Sequence, residues 1–312
     1  MADGSRHSMY LVAEDTYGVT PASPAFKQVR NTGTTLALTK NTVESEEVRP
    51  DRQIAEFRHG NRQVGGDISV EFSYGSFDEM MEAVLCGSWT ADKPAAGTDE
   101  LKAGSKRRSF SVLRHFSDLD TADKPYHLFN GVELNNFSLT VAPDAIVKAT
   151  FAAVGKGMVT AGDKPASATL AAPTTTGVMD SFTGTLKENG APIAVVTEVQ
   201  LTLENGIEPR FVVGSKETIQ PRIGRSNLTG QITAYFENSA LLDKFLNETE
   251  SSLEFTLPDA AGNQYTFILP RVKYNGGQPD VSGQGDITLA MPFQALFDST
   301  AGSNLVVQRK AV

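Results

Sequence analysis

The residue types that most often carry chemistry are few and scattered in this chain. It contains one cysteine and four histidines: Cys86, His7, His59, His115 and His127. A nucleophilic hydrolase needs a serine or cysteine beside a histidine, and the sequence has neither a G-x-S-x-G turn nor a papain-like cysteine context. Cys86 lies in the apolar run 83–86, where a thiol behaves as a small hydrophobe. The sequence therefore predicts no catalytic residue.

Candidate ligands for metals and phosphates fare no better. The densest group is the stretch 115–123, followed by His127. A calcium loop of the EF-hand type needs a glycine at its tight turn and a terminal glutamate, and both are absent there. Gly60, Gly65 and Gly66 match no phosphate-binding pattern and precede a predicted strand rather than a helix. We expect no metal and no cofactor, and a surface turn at 115–123.

The charge balance argues against binding of nucleic acid. Lys and Arg number 28 and Asp and Glu 37, which gives a net charge of −9. Such an excess of carboxylates repels a phosphate backbone. The basic cluster 106–108 has no interleaved aromatic residues, which favours an interface or a solvated strand edge.

Targeting signals are also missing from the sequence. No apolar run approaches the roughly 18 residues of a membrane helix, and the N-terminal residues do not resemble a signal peptide. A lone cysteine excludes an internal disulfide. We therefore expect a protein that is made in the cytoplasm and has no membrane anchor.

The elements that would position any site are mostly strands. A length of 312 residues suggests about two domains. Alternation of apolar and polar residues predicts strands whose two faces differ in burial, and turn pairs such as Asn189-Gly190 and Asn205-Gly206 are typical of antiparallel hairpins. The alternating segments are 36–39, 68–72, 137–141, 199–203 and 265–269. The pattern predicts a mainly β fold.

Two segments have helical spacing instead. One places Phe77, Met80, Met81, Val84 and Leu85 on a single face. Ser76 and Glu79 fit a capping box at its start, and Gly87 fits a left-handed cap at its end. The other contains Leu241, Leu242, Phe245 and Leu246, after a plausible N-cap at 238–239.

The order of elements indicates a duplication. The segment 59–72 resembles 223–236, and Gly66 matches Gly230 at the same offset of 164 that relates Phe72 to Phe236. Each segment is followed by one of the two helices. The stretch 161–177, rich in Ala, Thr, Pro, Lys and Gly, is predicted to be a linker. The expected division is a domain with an N-terminal arm at 1–160, the linker, a duplicate domain at 178–298 and a C-terminal arm at 299–312.

Each predicted copy carries a long polar stretch, 41–65 in the first and 205–229 in the second. Compact domains seldom keep loops of this length without a function, so we expect projecting hairpins or partner-binding loops. The charged candidates for such contacts are Glu44, Glu46, Glu47, Arg49, Asp51, Arg52, Glu56, Arg58 and Arg62 in the first stretch, and Glu208, Arg210, Lys216, Glu217, Arg222 and Arg225 in the second.

Over nearly its whole length, the chain resembles the tail tube proteins of long-tailed bacteriophages, particularly the duplicated type of some non-contractile tails. The resemblance rests on the combined length and order of several strings. These strings are 41–53, 58–60, 64–68 and 74–78 in the first half, and 224–227, 247–252 and 269–274 in the second.

The resemblance implies two tandem β-sandwich domains, each with one flanking helix, whose inner sheets join those of neighbours into a barrel around a lumen. Members with one such domain form hexameric rings, so a chain with two should close as a trimer with pseudo-sixfold symmetry. Rings would stack through 41–65 and 205–229, aided by arms at 1–30 and 299–312. Charged pairs there would fix the register, at about 0–1 kcal/mol for each exposed pair.

The resemblance also implies partners and a location. Besides copies of itself, the chain would meet a tape measure protein inside the tube and terminator and tip proteins at its ends. DNA would pass through the lumen without specific binding, because an acidic wall repels phosphates. The protein would belong to the virion tail and be assembled in the cytoplasm of the bacterial host.

Other functions remain open at this point. A stand-alone β-sandwich binding module, such as an adhesin or a carbohydrate binder, would be a monomer with an aromatic platform, yet the only tryptophan is Trp89. A capsid decoration or terminator protein would be another virion role. A hydrolase would need a pocket that gathers His59, His115 or His127 with carboxylates.

Overall fold

The computed structural model of the chain describes residues 1–181, 185–193, 195–281 and 283–312. Strands dominate it, in agreement with the mainly β prediction. The strands up to residue 171 are β1 (His7–Ala13), β2 (Ala25–Val29), β3 (Asn31–Thr34), β4 (Ala37–Glu44), β5 (Phe57–Glu71), β6 (Thr98–Lys102), β7 (Phe110–Phe116), β8 (Tyr126–Val141), β9 (Lys148–Gly155), β10 (Gly157–Ala161) and β11 (Thr169–Ala171).

The later strands are β12 (Thr185–Glu188), β13 (Ala191–Pro192), β14 (Val196–Glu204), β15 (Glu208–Arg210), β16 (Ile219–Arg222), β17 (Asn227–Tyr235), β18 (Ser251–Pro258), β19 (Gln264–Tyr274), β20 (Pro279–Asp280), β21 (Thr288–Ala295) and β22 (Val306–Lys310). The two helices are α1 (Asp78–Val84) and α2 (Ala240–Leu246). Short 3-10 turns lie at Gly4–Arg6 and Thr121–Asp123.

Eight strands form one antiparallel layer, called here the inner layer, in the order β4-β5-β9-β8-β14-β17-β21-β19. Its first four strands and its last four are arranged alike. In each set, the strands numbered along the chain occur across the layer in the order first, second, fourth, third. In β14, Val199, Leu201 and Leu203 are buried while the residues between them are less so. The period-two prediction is confirmed by this alternation.

A second layer covers one face of the inner layer. The long strands β8 and β19 belong to both layers, because their N-terminal halves pair with other partners than their C-terminal halves do. The N-terminal half of β8 pairs with β7 and β10, and β7 pairs with β1, which pairs with β2. The N-terminal half of β19 pairs with β18 and β22, and β18 pairs with β12. Together the layers make a β-sandwich arrangement.

One apolar core runs through both halves of the inner layer. Phe72 is fully buried at its centre and contacts four other rings. Those of Phe77 and Phe137 come from the first half of the chain, and those of Tyr265 and Phe267 from the second. The two halves therefore share buried surface rather than folding around separate cores.

Both predicted helices are present, but the capping box is wrong. α1 begins at Asp78, and its N-cap residue, Phe77, makes no side-chain cap hydrogen bond. The hydroxyl of Ser76 instead lies 2.6 Å from that of Ser73, and the Glu79 carboxylate forms an ion pair with Lys27 of β2. The hydroxyl and carboxylate that a capping box needs therefore contact Ser73 and Lys27 instead of the first turn of the helix.

The end of α1 also differs from the prediction. The left-handed residue is Cys86, with φ of 49°, rather than Gly87. Gly87 is needed for another reason, since a Cβ atom on it would lie 2.1 Å from the carbonyl oxygen of Lys102. The absence of a side chain at residue 87 allows the backbone there to lie against the end of β6.

The segments predicted to be a linker and arms are integrated into the layers. Within 161–177, β11 pairs in parallel with β2, and Ala168 is buried beside Phe26. Strands β1 and β2 occupy much of 1–30. In 299–312, β22 pairs with β19 on one side and with β6 on the other. Backbone hydrogen bonding to distant strands has therefore ordered segments whose composition suggested loose connections.

Candidate assembly interface

The first polar stretch forms a projecting hairpin. β4 and β5 pair from Ala37↔Gly65 to Glu44↔Phe57, and residues 45–56 connect them. Every residue from 39 to 59 is exposed. Apolar side chains are among them: Val48 is 98% exposed, and Ile54 and Phe57 are 63% and 52% exposed. A hairpin that presents apolar side chains to solvent is suited to contact another protein surface.

The second polar stretch forms an equivalent projection between β14 and β17. β15 and β16 pair through Glu208↔Arg222, and the connection between these two strands contains Val213, which is fully exposed. Both predicted projections therefore adopt hairpin structure.

The charged candidates fall into two groups. Ion pairs or hydrogen bonds within the chain hold the first group: Arg49 with Asp51, Glu56 with Arg58, Arg62 with Glu217, Glu208 with Arg222, and Arg210 with the Gln220 carbonyl. Among the described residues, the side chains of the second group make no ion pair or hydrogen bond: Glu44, Glu46, Glu47, Arg52, Lys216 and Arg225.

The second hairpin lies against the first half of the chain both at its connecting loop and at its base. The backbone N–H of Arg62 donates to the Lys216 carbonyl at 2.8 Å, and the Arg62 guanidinium pairs with Glu217. Buried Asn205 donates through its side chain to the Val84 carbonyl at 2.7 Å, and its backbone N–H donates to the Asn135 carbonyl at 2.8 Å. These residues thus join the halves instead of facing outward.

Strand pairing makes the central link between the halves. β8 and β14 run antiparallel from Val141↔Val199 to Asn136↔Glu204. Leu139 and Leu201 are opposed in this ladder, and both are buried. The last strand of one set of four therefore pairs with the first strand of the next set.

A polar cluster forms a third link, beside α1. The Asp78 carboxylate accepts a hydrogen bond from the Tyr265 hydroxyl and forms an ion pair with Arg309. Arg309 also pairs with Asp99 at 2.9 Å, and its guanidinium carbon lies 4.5 Å from the centre of the Trp89 ring. Burial raises the pKa of Asp78 and raises that of Tyr265 well above its usual range, because leaving water penalises the charged form.

A buried ion pair lies near the base of the second hairpin. Arg107 donates to the Glu133 carboxylate at 2.5 Å, and the Glu133 side chain is 3% exposed. Burial raises the pKa of Glu133, while hydrogen bonding and charge from Arg107 act in the opposite direction. Burial is the larger effect, so its net pKa lies above the ordinary value.

The two outer strands of the inner layer each have an open edge. Within the described residues, β4 pairs along one side only, with β5. The chain from Lys273 to Asp280, at the other end of the layer, pairs along one side only, with β21. An unpaired strand edge is a template for another strand.

No sequence signal pointed to these links between the halves. Asp78 and Tyr265 are 187 positions apart, and Arg107 is an ordinary member of a basic cluster. Arg107 and Arg108 both make internal ion pairs, with Glu133 and Glu82. The interface expected at 106–108 is therefore, for these two arginines, an internal one.

The histidines required by a hydrolase lie in two regions of the fold, with His115 and His127 on the paired strands β7 and β8 and His59 apart from them. His59 is on the first hairpin, where its ring meets Phe57 edge-on. His115 stacks on Tyr126, and His127 lies against Phe116. In the part of the chain that the structure describes, no group of three or more His, Cys, Asp or Glu residues could hold a metal ion. No described helix is long and apolar enough to cross a membrane.

The geometry is that of a β-rich protein with two unpaired edges in its inner layer and two projecting hairpins. Comparison with protein families gives a specific result: the model of a family described as phage tail tube protein matches residues 4–295. The chain belongs to this family of phage tail tube proteins. It is thereby a structural component of the virion that assembles with itself into a tube. No curated protein matches the chain.

Proposed function

We propose that three copies of this chain close into a ring with pseudo-sixfold symmetry, and that stacked rings form the conduit for genome passage. The observation that carries this proposal is the repeated strand order, β4-β5-β9-β8 followed by β14-β17-β21-β19. The junction between the sets, β8 against β14, joins a last strand to a first strand. The open edges of the chain are again a first strand, β4, and a last strand, β19 with β20.

Closure then repeats the internal junction. The edge from Lys273 to Asp280 of one copy pairs with β4 of the next, so that every edge of the inner layer is used. A heterologous contact of this kind makes a closed ring when the rotation it imposes divides a full turn. The two units of the repeat are the duplicated domains at 1–160 and 178–298, and the ordered segment 161–177 connects them.

Rings stack through the hairpin tips. The unpaired charges of Glu44, Glu46, Glu47 and Arg52, together with exposed Val48, are available for a neighbouring ring. The N-terminal and C-terminal segments contribute less to stacking than was predicted for them as arms, because β1, β2 and β22 are paired with strands of their own chain. A tube of this kind would contact a tape measure protein in its lumen and terminator and tip proteins at its ends. It would be assembled in the cytoplasm of the host.

The open face of the inner layer forms the lumen wall. It presents mainly hydroxyl and amide side chains, such as Ser69, Thr150, Thr202 and Gln231, on the opposite side of the strands from the core. Among the described residues, this face carries the carboxylates of Asp67, Glu71, Glu198 and Glu204 and the cations of Lys148, Arg271 and Lys273. Four carboxylates outnumber three cations, so the wall is weakly acidic and does not retain DNA phosphates.

Native mass spectrometry of assembled rings tests the proposal. We expect a ring mass of three chains, and electron microscopy of concentrated protein should show hollow tubes. Six chains in each ring would overturn the trimer. Particles that stay monomeric at every concentration would favour a stand-alone binding module instead.

A further inference from the structure

The two helices differ in how they are covered. In α1, Met80, Met81, Ala83 and Val84 are all buried. α2 has no buried residue, and Leu246 is 65% exposed. Since both helices follow the same strand of their set, β5 and β17, the difference needs an explanation.

Part of the cover of α1 comes from the second half of the chain, in addition to its packing on β8 of the first half. Tyr265 and Arg309, paired with each other across β19 and β22, reach Asp78 at the start of the helix. Phe267 lies two residues further along β19. Its ring centre is 6.2 Å from that of Phe72, a core residue that precedes α1 in the chain. The unit that follows in the inner layer thus packs its second layer over the start of the helix of the unit before it.

The unit that would cover α2 lies outside a single chain. We propose that the exposed side of α2 is a docking surface for the second layer of the next copy of this chain, at the ladder of β8 and β10. This inference rests on the proposed ring. It adds an interface that strand pairing alone does not specify.

The internal junction identifies the residues on the partner surface. Phe267↔Val307 in β19 and β22 corresponds to Phe129↔Met158 in β8 and β10, because each contains a buried phenylalanine of a shared long strand. Two positions further out, Tyr265↔Arg309 corresponds to His127↔Thr160.

The surface around His127 is an aromatic and cationic patch. The ring centres of Phe116 and His127 are 4.9 Å apart, and the Arg114 guanidinium carbon is 5.2 Å from the centre of the Phe116 ring. Arg114 also donates to the carbonyl oxygen of Leu36, which directly precedes β4. The patch is therefore continuous with the open strand edge of the proposed ring contact.

The α2 surface complements this patch. Leu242 and Leu246 are four residues apart and share one side of the helix, while Leu241 and Phe245 pack on the core. Exposed Asp243 lies between half-buried Leu242 and exposed Leu246 in sequence and provides a negative charge opposite Arg114. An apolar helix side with a carboxylate matches an aromatic surface with a guanidinium.

Cross-linking tests the contact in the full-length chain. A Leu246→Cys, Thr160→Cys double variant treated with a short bismaleimide should give covalent dimers and trimers. A Leu246→Cys, Ser105→Cys variant is the control, because Ser105 is exposed but follows β6, a strand with no counterpart in the second half. Wild-type protein, with only buried Cys86, sets the background.

An assembly measurement supplies the second readout. Leu246→Asp should lower the fraction of chains in rings about tenfold or more, with an unchanged unfolding midpoint, whereas Val312→Asp, at the exposed C-terminal residue, should not. If the wild type forms rings but the Leu246→Cys, Thr160→Cys variant gives no cross-links, this inference is overturned and the proposed ring stands. Wild-type chains that never assemble would overturn both.

Discussion

The Tyr265 hydroxyl donates a hydrogen bond to the carboxylate of Asp78 from a strand 187 positions later in the chain. Asp78 opens α1, and Tyr265 lies in the shared long strand β19. Together with Arg309, they connect the first half of the fold to the second by side chains as well as by backbone pairing. The contact places the second half of the chain over the start of α1, and the proposed contact between chains follows the same arrangement.

Loss of the Asp78 carboxylate should weaken the fold itself. Asp78→Ala removes one member of a mostly buried ion pair and leaves the Tyr265 hydroxyl without its acceptor, at a cost of about 3 kcal/mol in the free energy of unfolding. Urea denaturation followed by circular dichroism measures the effect. Arg271→Ala, which breaks an exposed pair with Glu250, should leave the midpoint unchanged. Equal effects of the two substitutions would contradict the structural role of Asp78.

The core contact at Phe72 should be among the most sensitive in the chain. Phe72→Ala leaves a cavity between the halves and should lower the free energy of unfolding by about 3–5 kcal/mol. Phe297→Ala is the matched control, because Phe297 is 62% exposed, and its effect should be within about 0.5 kcal/mol. Thermal and urea unfolding of both variants provide the comparison, and a mild effect at Phe72 would argue for two independent cores.

Two glutamates should give opposite pH dependences. The folded-state pKa of Glu133 lies above its ordinary value, so its stabilising contribution is present at low pH and falls as pH rises through that raised value. The Glu250 pKa is lowered by its hydrogen bond with Arg271, so its contribution is lost as pH falls through the lowered value.

Urea midpoints across the acidic range measure this difference. Relative to Glu133→Gln, the wild type should lose stability as pH rises above the ordinary glutamate value. Relative to Glu250→Gln, the wild type should gain stability as pH rises towards that value from below. Slopes of the same sign for the two variants would show that one of these environments is assigned incorrectly.

Charge reversal at the first hairpin should separate ring formation from stacking. Glu47→Lys alters an exposed carboxylate in the proposed contact between rings, and should shorten tubes while leaving the ring mass unchanged. Asp163→Lys makes the same charge change in an exposed part of 161–177 and should have no effect. Tube length by electron microscopy and ring mass by native mass spectrometry give the two readouts. Tubes of normal length from Glu47→Lys would count against stacking at this residue.

Reversal of charge on the open face of the inner layer should create affinity for DNA. Asp67→Lys combined with Glu198→Lys makes the proposed lumen wall basic, and binding of short single-stranded DNA to tubes should appear and weaken with salt. Reversal of Asp163, away from this face, should not produce binding. Fluorescence anisotropy on preformed tubes tests this, and binding by the Asp163 variant alone would place the DNA-accessible surface elsewhere.

Much of the architecture was predictable because it depends on local order along the chain. Alternation marked segments that lie in or overlap β4, β5, β8, β14 and β19, and helical spacing marked α1 and α2. The Asn189-Gly190 turn, with both residues at positive φ, connects β12 and β13 as expected. Long polar stretches also marked the two hairpins.

Sequence alone thus determined the β-rich class, the two helices, the hairpin projections and the family resemblance. Tertiary structure decided the rest. It diverted Ser76 and Glu79 from capping, placed β11 within 161–177 and β22 within 299–312, and brought Asp78 to Tyr265 and Arg309. The physical reason is that burial alternates with a local period, whereas a polar group or strand edge takes whichever partner the whole fold brings within reach.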